Sequence, residues 1–390
     1  MPTKVLHIIT RMILGGAQEN TLLTCEGLDR SPEWDVTLVT GPAIGPEGEL
    51  LGRARRHGIR TILIPQMRRA INPFRDAASF AHVCRIIRRV HPDIVHTHSS
   101  KAGVLGRLAA HALRVPAIVH TIHGLPFHRF QGPVANAAFI AAERLAARCC
   151  DRLVCVADAM TRQALQAGVG RPEQYRTVHS GMEVEKFLQA HTHREAARRE
   201  LGFSEDQVVI GKIARLFPLK GHKYVIEAAP KIIERCPRAR FLFVGDGILR
   251  EELEQRVREL RLRDRFVFTG LVDSARIPEM IGAMDILVHA SLREGLPRAV
   301  VQALLGGRPA VSYAVDGAPE VVIDGITGRL LPPRSIAPLA DALIELIEHP
   351  DRAREMGREA RRRFTDQFRA STMVRRLEEI YRELLPQTLS

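Results

Sequence analysis

Short runs of β-branched and aliphatic residues alternate with amphipathic stretches along nearly the whole chain. In the first half the runs are VLHII (5–9), DVTLVT (35–40), TILI (61–64), DIVHTH (93–98), AIVHT (117–121), RLVCV (152–156) and RTVH (176–179). Between them apolar positions recur at helical spacing, for example over 17–29, 74–90 and 103–114. The alternation restarts in the second half with VVIGKIA (208–214), RFLFVG (240–245), FVFTG (266–270), DILVHA (285–290) and PAVSY (309–313). Helices fit at 222–236, 248–261, 297–306 and 335–348. Strands alternating with helices of this length build βαβ units on a parallel sheet. The expectation is an α/β fold with two such sheets. A polar, strand-free stretch at 188–206, containing HTHREAARRE, separates the halves, so the domains are set at 1–188 and 189–367. A final amphipathic stretch, 368–385, puts Phe368, Met373, Val374, Leu377, Ile380 and Leu384 at helical spacing. Open parallel sheets bind ligands at the carboxyl ends of their strands, so a cleft between the two halves is the expected site.

Composition narrows the class without naming a function. The 390 residues are 45% hydrophobic and 26% charged, enough apolar material for two buried cores. No stretch approaches the roughly 18 consecutive apolar residues of a transmembrane helix. VLHIIT begins almost at once, so a secretory leader is not expected. Six scattered cysteines form no CxxC pair, which suits small core hydrophobes in a reducing, cytoplasmic compartment. The net charge of +13 implies anionic partners. One Trp and four Tyr argue against a base-stacking single-strand binder. Basic clusters in the first half are Arg53, Arg55 and Arg56, then Arg68 and Arg69, then Arg85, Arg88 and Arg89, with Arg107 and Arg114 beyond. The stretch 66–74, QMRRAINPF, mixes cations with Met67, Ile71 and Phe74, as an interfacial segment on anionic lipid would. Ordinary solubility charge is the other reading of these clusters.

Three stretches carry candidate chemistry. Gly15 and Gly16 lie between the first strand and a helix, where glycine lets backbone amides approach a ligand and the helix N-terminus favours anions. Arg215 and Lys220, five positions apart on a loop with Pro218 and Gly221, follow the first strand of the second half. A loop can aim both cations at one diphosphate. The third is Arg293-Glu294-Gly295-Leu296-Pro297 running to Gln302. Pro297 suits the first turn of a helix, the amides around 296–299 offer a second anion site, and Glu294 and Gln302 span a ligand with hydroxyls at both ends. A turn, a solvated basic loop and a capping carboxylate are the plainer readings of the three.

These stretches resemble, in order, the retaining glycosyltransferases of family 4, which have the GT-B fold. The Gly-Gly loop, HTIHG (120–124), HSGME (179–183) running to Phe187, Arg215 to Gly221, VGDG (244–247), Glu294 to Pro297 and DGITG (324–328) carry the likeness, which spans nearly the whole chain. The resemblance implies two Rossmann-like domains facing across a cleft, with helix 368–385 packing back on the first. It implies Gly15 and Gly16 against the donor diphosphate or sugar, and His123 beside the reacting centre. Arg215 and Lys220 would neutralise the leaving nucleoside diphosphate, and Glu294 would hold donor-sugar hydroxyls. Amides near Gly295, Leu296 and Pro297 would meet phosphate, and the backbone around Gly245 and from Phe268 to Gly270 would hold the base. The family usually has Glu where this chain has Gln302, at the ribose. An amide both donates and accepts there, but it does not favour a double displacement with residue 302 as nucleophile. The implied partners are a nucleotide-sugar donor, with UDP favoured over GDP, a glycan or lipid-linked acceptor, and an anionic membrane face. The implied chemistry needs no metal. His96, His98, His120 and His123 could instead form a zinc cluster, as could Cys149, Cys150 and Cys155. A nucleotide-sugar epimerase of the same fold and a basic nucleic-acid binder are the competing classes.

Overall fold

The computed structural model describes residues 1–44 and 48–385. It divides into two compact units. One comprises Met1–Met182 with the C-terminal residues from Arg369 onward, and the other Glu183–Phe368.

The first unit holds seven parallel strands: β1 Thr3–Ile9, β2 Trp34–Thr40, β3 Arg60–Leu63, β4 Ile94–His98, β5 Ala117–Ile122, β6 Arg152–Cys155 and β7 Tyr175–Thr177. Their order is β3-β2-β1-β4-β5-β6-β7. Every residue of β4 and β5 is buried, as expected of central strands covered by helices on both faces. The second unit repeats the plan with β8 Val208–Ile213, β9 Ala239–Val244, β10 Phe266–Phe268, β11 Ile286–His289, β12 Ala310–Tyr313 and β13 Gly328–Leu331, in the order β10-β9-β8-β11-β12-β13. In each sheet the chain starts at the middle, winds to one edge, then crosses to the other side. The crossover points lie between β1 and β4 and between β8 and β11. All the strands anticipated from periodicity form; β13 is an addition.

The boundary falls six residues earlier than the sequence suggested, after Met182 rather than 188. Helix Val184–Leu188 packs on helix Arg298–Leu305 of the second unit, and Arg361 donates to the Leu188 carbonyl. The polar stretch after it is no linker. Arg194–Leu201 is a helix whose Arg198 is fully buried. Arg198 donates to Asp285 Oδ2 at 2.6 Å and to the carbonyls of Ala283, Ser204, Glu205 and Gln207. A buried guanidinium with its donors met fixes the helix where composition alone reads as solvent-facing.

The terminal helix runs Ala370–Leu384. Met373, Val374, Leu377, Ile380 and Tyr381 enter the core of the first unit beside Leu22, Leu28 and Trp34, with Leu384 packed against its rim. Phe368 does not join them. It stays in the second unit, its ring 5.9 Å from that of Phe364. The Ala370 amide donates to the Met182 carbonyl at 3.0 Å, so the first unit's chain resumes beside the point where it broke off.

Two residues counted with the basic surface are interior. Arg107 is fully buried, donating to Glu143 Oε2 at 2.7 Å and to the Gly103 carbonyl at 2.8 Å. Met67 is also buried, whereas Arg68, Arg69, Ile71 and Phe74 are exposed.

Candidate active site

In the second unit the crossover between β8 and β11 brings two loops together. The loop after β8 carries Arg215 to Gly221, and the loop after β11 carries Ser291 to Pro297. Their backbones touch at Gly221, which has φ 73; a Cβ there would lie 1.8 Å from the Ala290 carbonyl oxygen. Only glycine takes that conformation at that distance without strain. The Leu292 amide donates to the Leu219 carbonyl at 2.8 Å, a second tie. Across this seam Lys220 Nζ donates to Glu294 Oε1 at 2.7 Å, and His289 Nε2 stands 3.2 Å from the same oxygen. The Glu294 amide is held by Asp316 Oδ2 at 2.6 Å. Burial pushes the Glu294 carboxyl up, but Lys220 and His289 outweigh it and hold the group well below the ordinary carboxylate range. It is therefore a fixed anion, an acceptor of hydrogen bonds and not a proton donor.

The other predicted residues of this unit surround the pair's strands. Arg215 is exposed, with its guanidinium carbon 4.7 Å from the centre of the Phe217 ring. Gly245 has φ 134, and a Cβ there would lie 2.3 Å from the Ala214 carbonyl oxygen. Its amide donates to the Gly270 carbonyl at 3.1 Å. The Phe268 ring meets Phe243 edge-on at 5.3 Å. Gly245, Phe268 and Gly270 thus gather at the carboxyl ends of β9 and β10, one strand over from Arg215. The Gly295 carbonyl accepts from Gly317 at 3.2 Å, and Leu296 is buried. Pro297 is the residue before the helix rather than in its first turn, and its carbonyl accepts from Val300 and Val301. Gln302 follows on that helix, partly buried.

Sequence reasoning passed over Lys212, His222, His289 and Asp316. Lys212 and His222 are buried, and neither Lys212 Nζ nor either His222 ring nitrogen meets a partner among the described residues. The signal was present: Lys212 is a charge inside the otherwise apolar run VVIGKIA. Burial brings the Lys212 ammonium down to about 7, with Glu294 opposing the shift and Lys220 adding to it. A folded pKa below the unfolded one, about 10.4, means that the unfolded chain binds the extra proton between those values. Stability should therefore rise with pH across about 7 to 10, by at most about 1.4 kcal/mol per unit. Lys212→Met is expected to stabilise the second unit at neutral pH by a few kcal/mol and to flatten that rise. Urea unfolding followed by circular dichroism at about pH 7, 8 and 9 checks both; an unchanged slope would show that Lys212 stays charged in the fold.

The first unit presents Gly15, Gly16 and His123 at the carboxyl edge of β1, β4 and β5. Gly15 precedes helix Gly16–Leu28, with extended φ 174. A Cβ there would approach only the flexible end of Gln18, so local structure does not demand glycine. His123 Nε2 lies 3.2 Å from His98 Nδ1. The zinc alternatives meet a different geometry. The ring nitrogens lying within 4.8 Å of one another belong to His7, His96 and His98, and His120 turns to Thr97 Oγ1 at 2.9 Å. His96 is committed on both nitrogens, to the Tyr381 hydroxyl at 2.5 Å and to Thr121 Oγ1 at 2.7 Å. Burial pushes the Cys150 thiol up to about 12, and Cys150 donates to the Arg152 and Ile118 carbonyls, a protonated core cysteine.

Known proteins share this plan. The Glycosyl transferase 4-like domain model matches residues 15–181, and the Glycosyl transferases group 1 model matches residues 193–363. The chain is 28% identical over 386 residues to the Escherichia coli UDP-Gal:alpha-D-GlcNAc-diphosphoundecaprenol alpha-1,3-galactosyltransferase, covering 98% of this chain and 97% of that one. It is 29% identical over 321 residues to the alpha-D-kanosaminyltransferase of Streptomyces kanamyceticus, covering 78% and 82%. Among solved structures, Anabaena HepE in complex with UDP superposes with a TM-score of 0.83 at 23% identity, over 98% of this chain and 100% of that one. With both of its halves matched in tandem, the chain belongs to the group 1 glycosyltransferases and carries their GT-B fold.

Proposed function

We propose that this protein transfers a hexosyl unit from a UDP-sugar to a glycan or lipid-linked acceptor, with retention at the anomeric carbon, in the building of a cell-surface polysaccharide or glycolipid. The observation that carries the reading is the Lys220–Glu294 pair, seated by the Gly221 contact at the crossover of the second sheet. A cation and a fixed carboxylate side by side suit a ligand whose diphosphate adjoins a polyhydroxyl ring. UDP is favoured because the Escherichia coli relative is named for a UDP-Gal donor and the HepE structure holds UDP.

The roles follow from the chemistry. Lys220 and Arg215 neutralise charge that develops on the departing diphosphate, so that no metal is called on. Glu294 accepts from sugar hydroxyls. The acceptor oxygen bonds to the anomeric carbon on the face from which the phosphate leaves. The breaking bond's electron pair goes to the diphosphate, and the acceptor's proton passes to the departing phosphate oxygen. Backbone at Gly245 and Gly270 takes the base, and Gln302 takes the ribose.

A thermal-shift panel of nucleotide sugars tests the donor, since a ligand at about 100 times its Kd adds about 2.7 kcal/mol. UDP-sugars should raise the midpoint and GDP-sugars should not. Release of UDP only when a GlcNAc-diphosphate-lipid or glycan acceptor is added, with an axial product linkage from an axial donor, supports the full reading. UDP-sugar turnover to an epimer without UDP release would replace it.

The acceptor side carries a further expectation. No helix among the described residues is long and apolar enough to cross a membrane. Arg68, Arg69, Ile71, Phe74 and Arg75 are exposed within eight positions of chain, a mixture suited to an anionic lipid surface. The protein should sediment with anionic vesicles at low salt, and reversing Arg68 and Arg69 to Glu should release it. No binding at low salt, or binding indifferent to vesicle charge, would leave a soluble acceptor as the better reading.

A further inference from the structure

Three imidazoles from neighbouring strand ends of the first unit form an unbroken file. His7 Nδ1 of β1 lies 3.0 Å from His98 Nε2 of β4, and His98 Nδ1 lies 3.2 Å from His123 Nε2, just past β5. His7 and His98 are fully buried, and burial holds both rings far on the neutral side, His7 down to about 3. A neutral imidazole has one proton for two nitrogens. His7 and His98 therefore each donate on one side and accept on the other, and the file has only two arrangements: both protons directed toward His123, or both directed toward the inner end at His7 Nε2.

The two arrangements differ at the inner end. His7 Nε2 is buried and meets no partner among the described residues. Protons directed inward would leave an N–H orphaned there, and protons directed outward leave only a lone pair. Buried N–H groups without an acceptor are the rarer case in folded proteins. We propose that His7 and His98 are positioning residues that set His123 in one tautomer, with its proton on Nδ1 and its Nε2 accepting from His98. His96 supports the file as a wall. Its ring lies 4.3 Å from that of His98, and its own nitrogens are anchored to Tyr381 and Thr121. The importance of His123 to catalysis rests on the glycosyl-transfer reading; its tautomer does not. In a transferase the file would hold a hydrogen-bond donor at a fixed place on the ring, with no reorganisation as the reaction begins.

Nitrogen-15 histidine spectra of the full-length protein distinguish the two neutral tautomers and the imidazolium by ring-nitrogen shifts. At about pH 8 His123 should show protonated Nδ1 and bare Nε2. His98→Leu removes the group that donates to His123 Nε2, so His123 should become a mixture of tautomers. The variant's kcat/KM should fall in proportion to the remaining Nδ1–H fraction. His98→Asn, which keeps an amide donor near the place of Nδ1, should restore the single tautomer. A wild-type His123 protonated on Nε2, or an imidazolium, overturns the proposal, as does a folded His98→Leu protein with an unaltered His123 signal. If His98→Leu does not fold, the wild-type and His98→Asn spectra decide. Should no nucleotide sugar turn over, the glycosyl-transfer reading falls while the spectra still judge the file.

Discussion

Removal of residues 370–385 should unfold the first unit. The terminal helix contributes Met373, Val374, Leu377, Ile380 and Tyr381 to that unit's core. Burial of such side chains is worth roughly 1.5–3 kcal/mol each, so five amount to roughly 7–15 kcal/mol. That equals the whole stability of an ordinary domain. Polar ties go with them. The Trp34 indole donates to Glu378 at 3.1 Å, its ring meets Tyr381 edge-on at 5.6 Å, and Tyr381 holds His96. Trp34 is the sole tryptophan, so its fluorescence reports whether this helix is docked. The truncated chain should show a red-shifted, solvent-exposed emission and no transferase activity. Leu377→Ala is the gentler version, with an expected loss of about 2–5 kcal/mol in the transition seen by Trp34. A truncated protein with native emission and an unshifted transition would mean that the helix is an accessory.

Lys220→Ala should lower kcat by tenfold or more, in line with the roughly 1.5–3 kcal/mol of a charge-assisted hydrogen bond to phosphate. Glu294→Gln should behave differently. Glu294 neutralises Lys220 at 2.7 Å, so a bare nucleoside diphosphate must compete with it. Glutamine relaxes that competition. Affinity for bare UDP should hold or rise, while turnover falls by about one to two orders of magnitude, since a neutral amide is the weaker acceptor for sugar hydroxyls. Calorimetric titration of UDP and steady-state rates on the same preparations separate the two effects. Equal losses of UDP affinity and turnover in Glu294→Gln would move the carboxylate off the sugar, and a folded Lys220→Ala enzyme at wild-type rate would remove Lys220 from the site. Because its carboxyl titrates far below neutrality, Glu294 contributes no acid limb to the rate profile above about pH 5.

Strands were legible where both faces are covered, because a buried parallel strand is a plain apolar run. β13 was not: GRLL holds no β-branched residue, and its Arg329, paired with Asp324 and Glu345, interrupts the apolar run. The boundary was misplaced for a similar reason. The charges of HTHREAARRE look solvated until Arg198 meets Asp285, 87 residues away. In the site, Lys220 and Glu294 stood out because glycine and proline mark their loops. Their mutual contact depends on β8 lying beside β11, and strand order is not written in periodicity. His7 was hidden by its setting, since one histidine within VLHIIT reads as a strand residue until His98 is placed against it.

The interrupted course of the first unit also sets an order of events during synthesis. Residues 183–368 form a continuous unit of 186 residues (368 − 183 + 1) and can fold as soon as they emerge. The 182 residues made before them cannot finish, because Met373, Leu377 and Tyr381 have not yet been translated. At roughly 5–20 residues per second, the wait is on the order of 10–40 s. Throughout it, the apolar groove around Leu22, Leu28 and Trp34 lies uncovered on the nascent chain. A complete sheet whose covering helix is still missing is a substrate for chaperones and a route to aggregation. The part of the protein first to leave the ribosome is thus the last to become native.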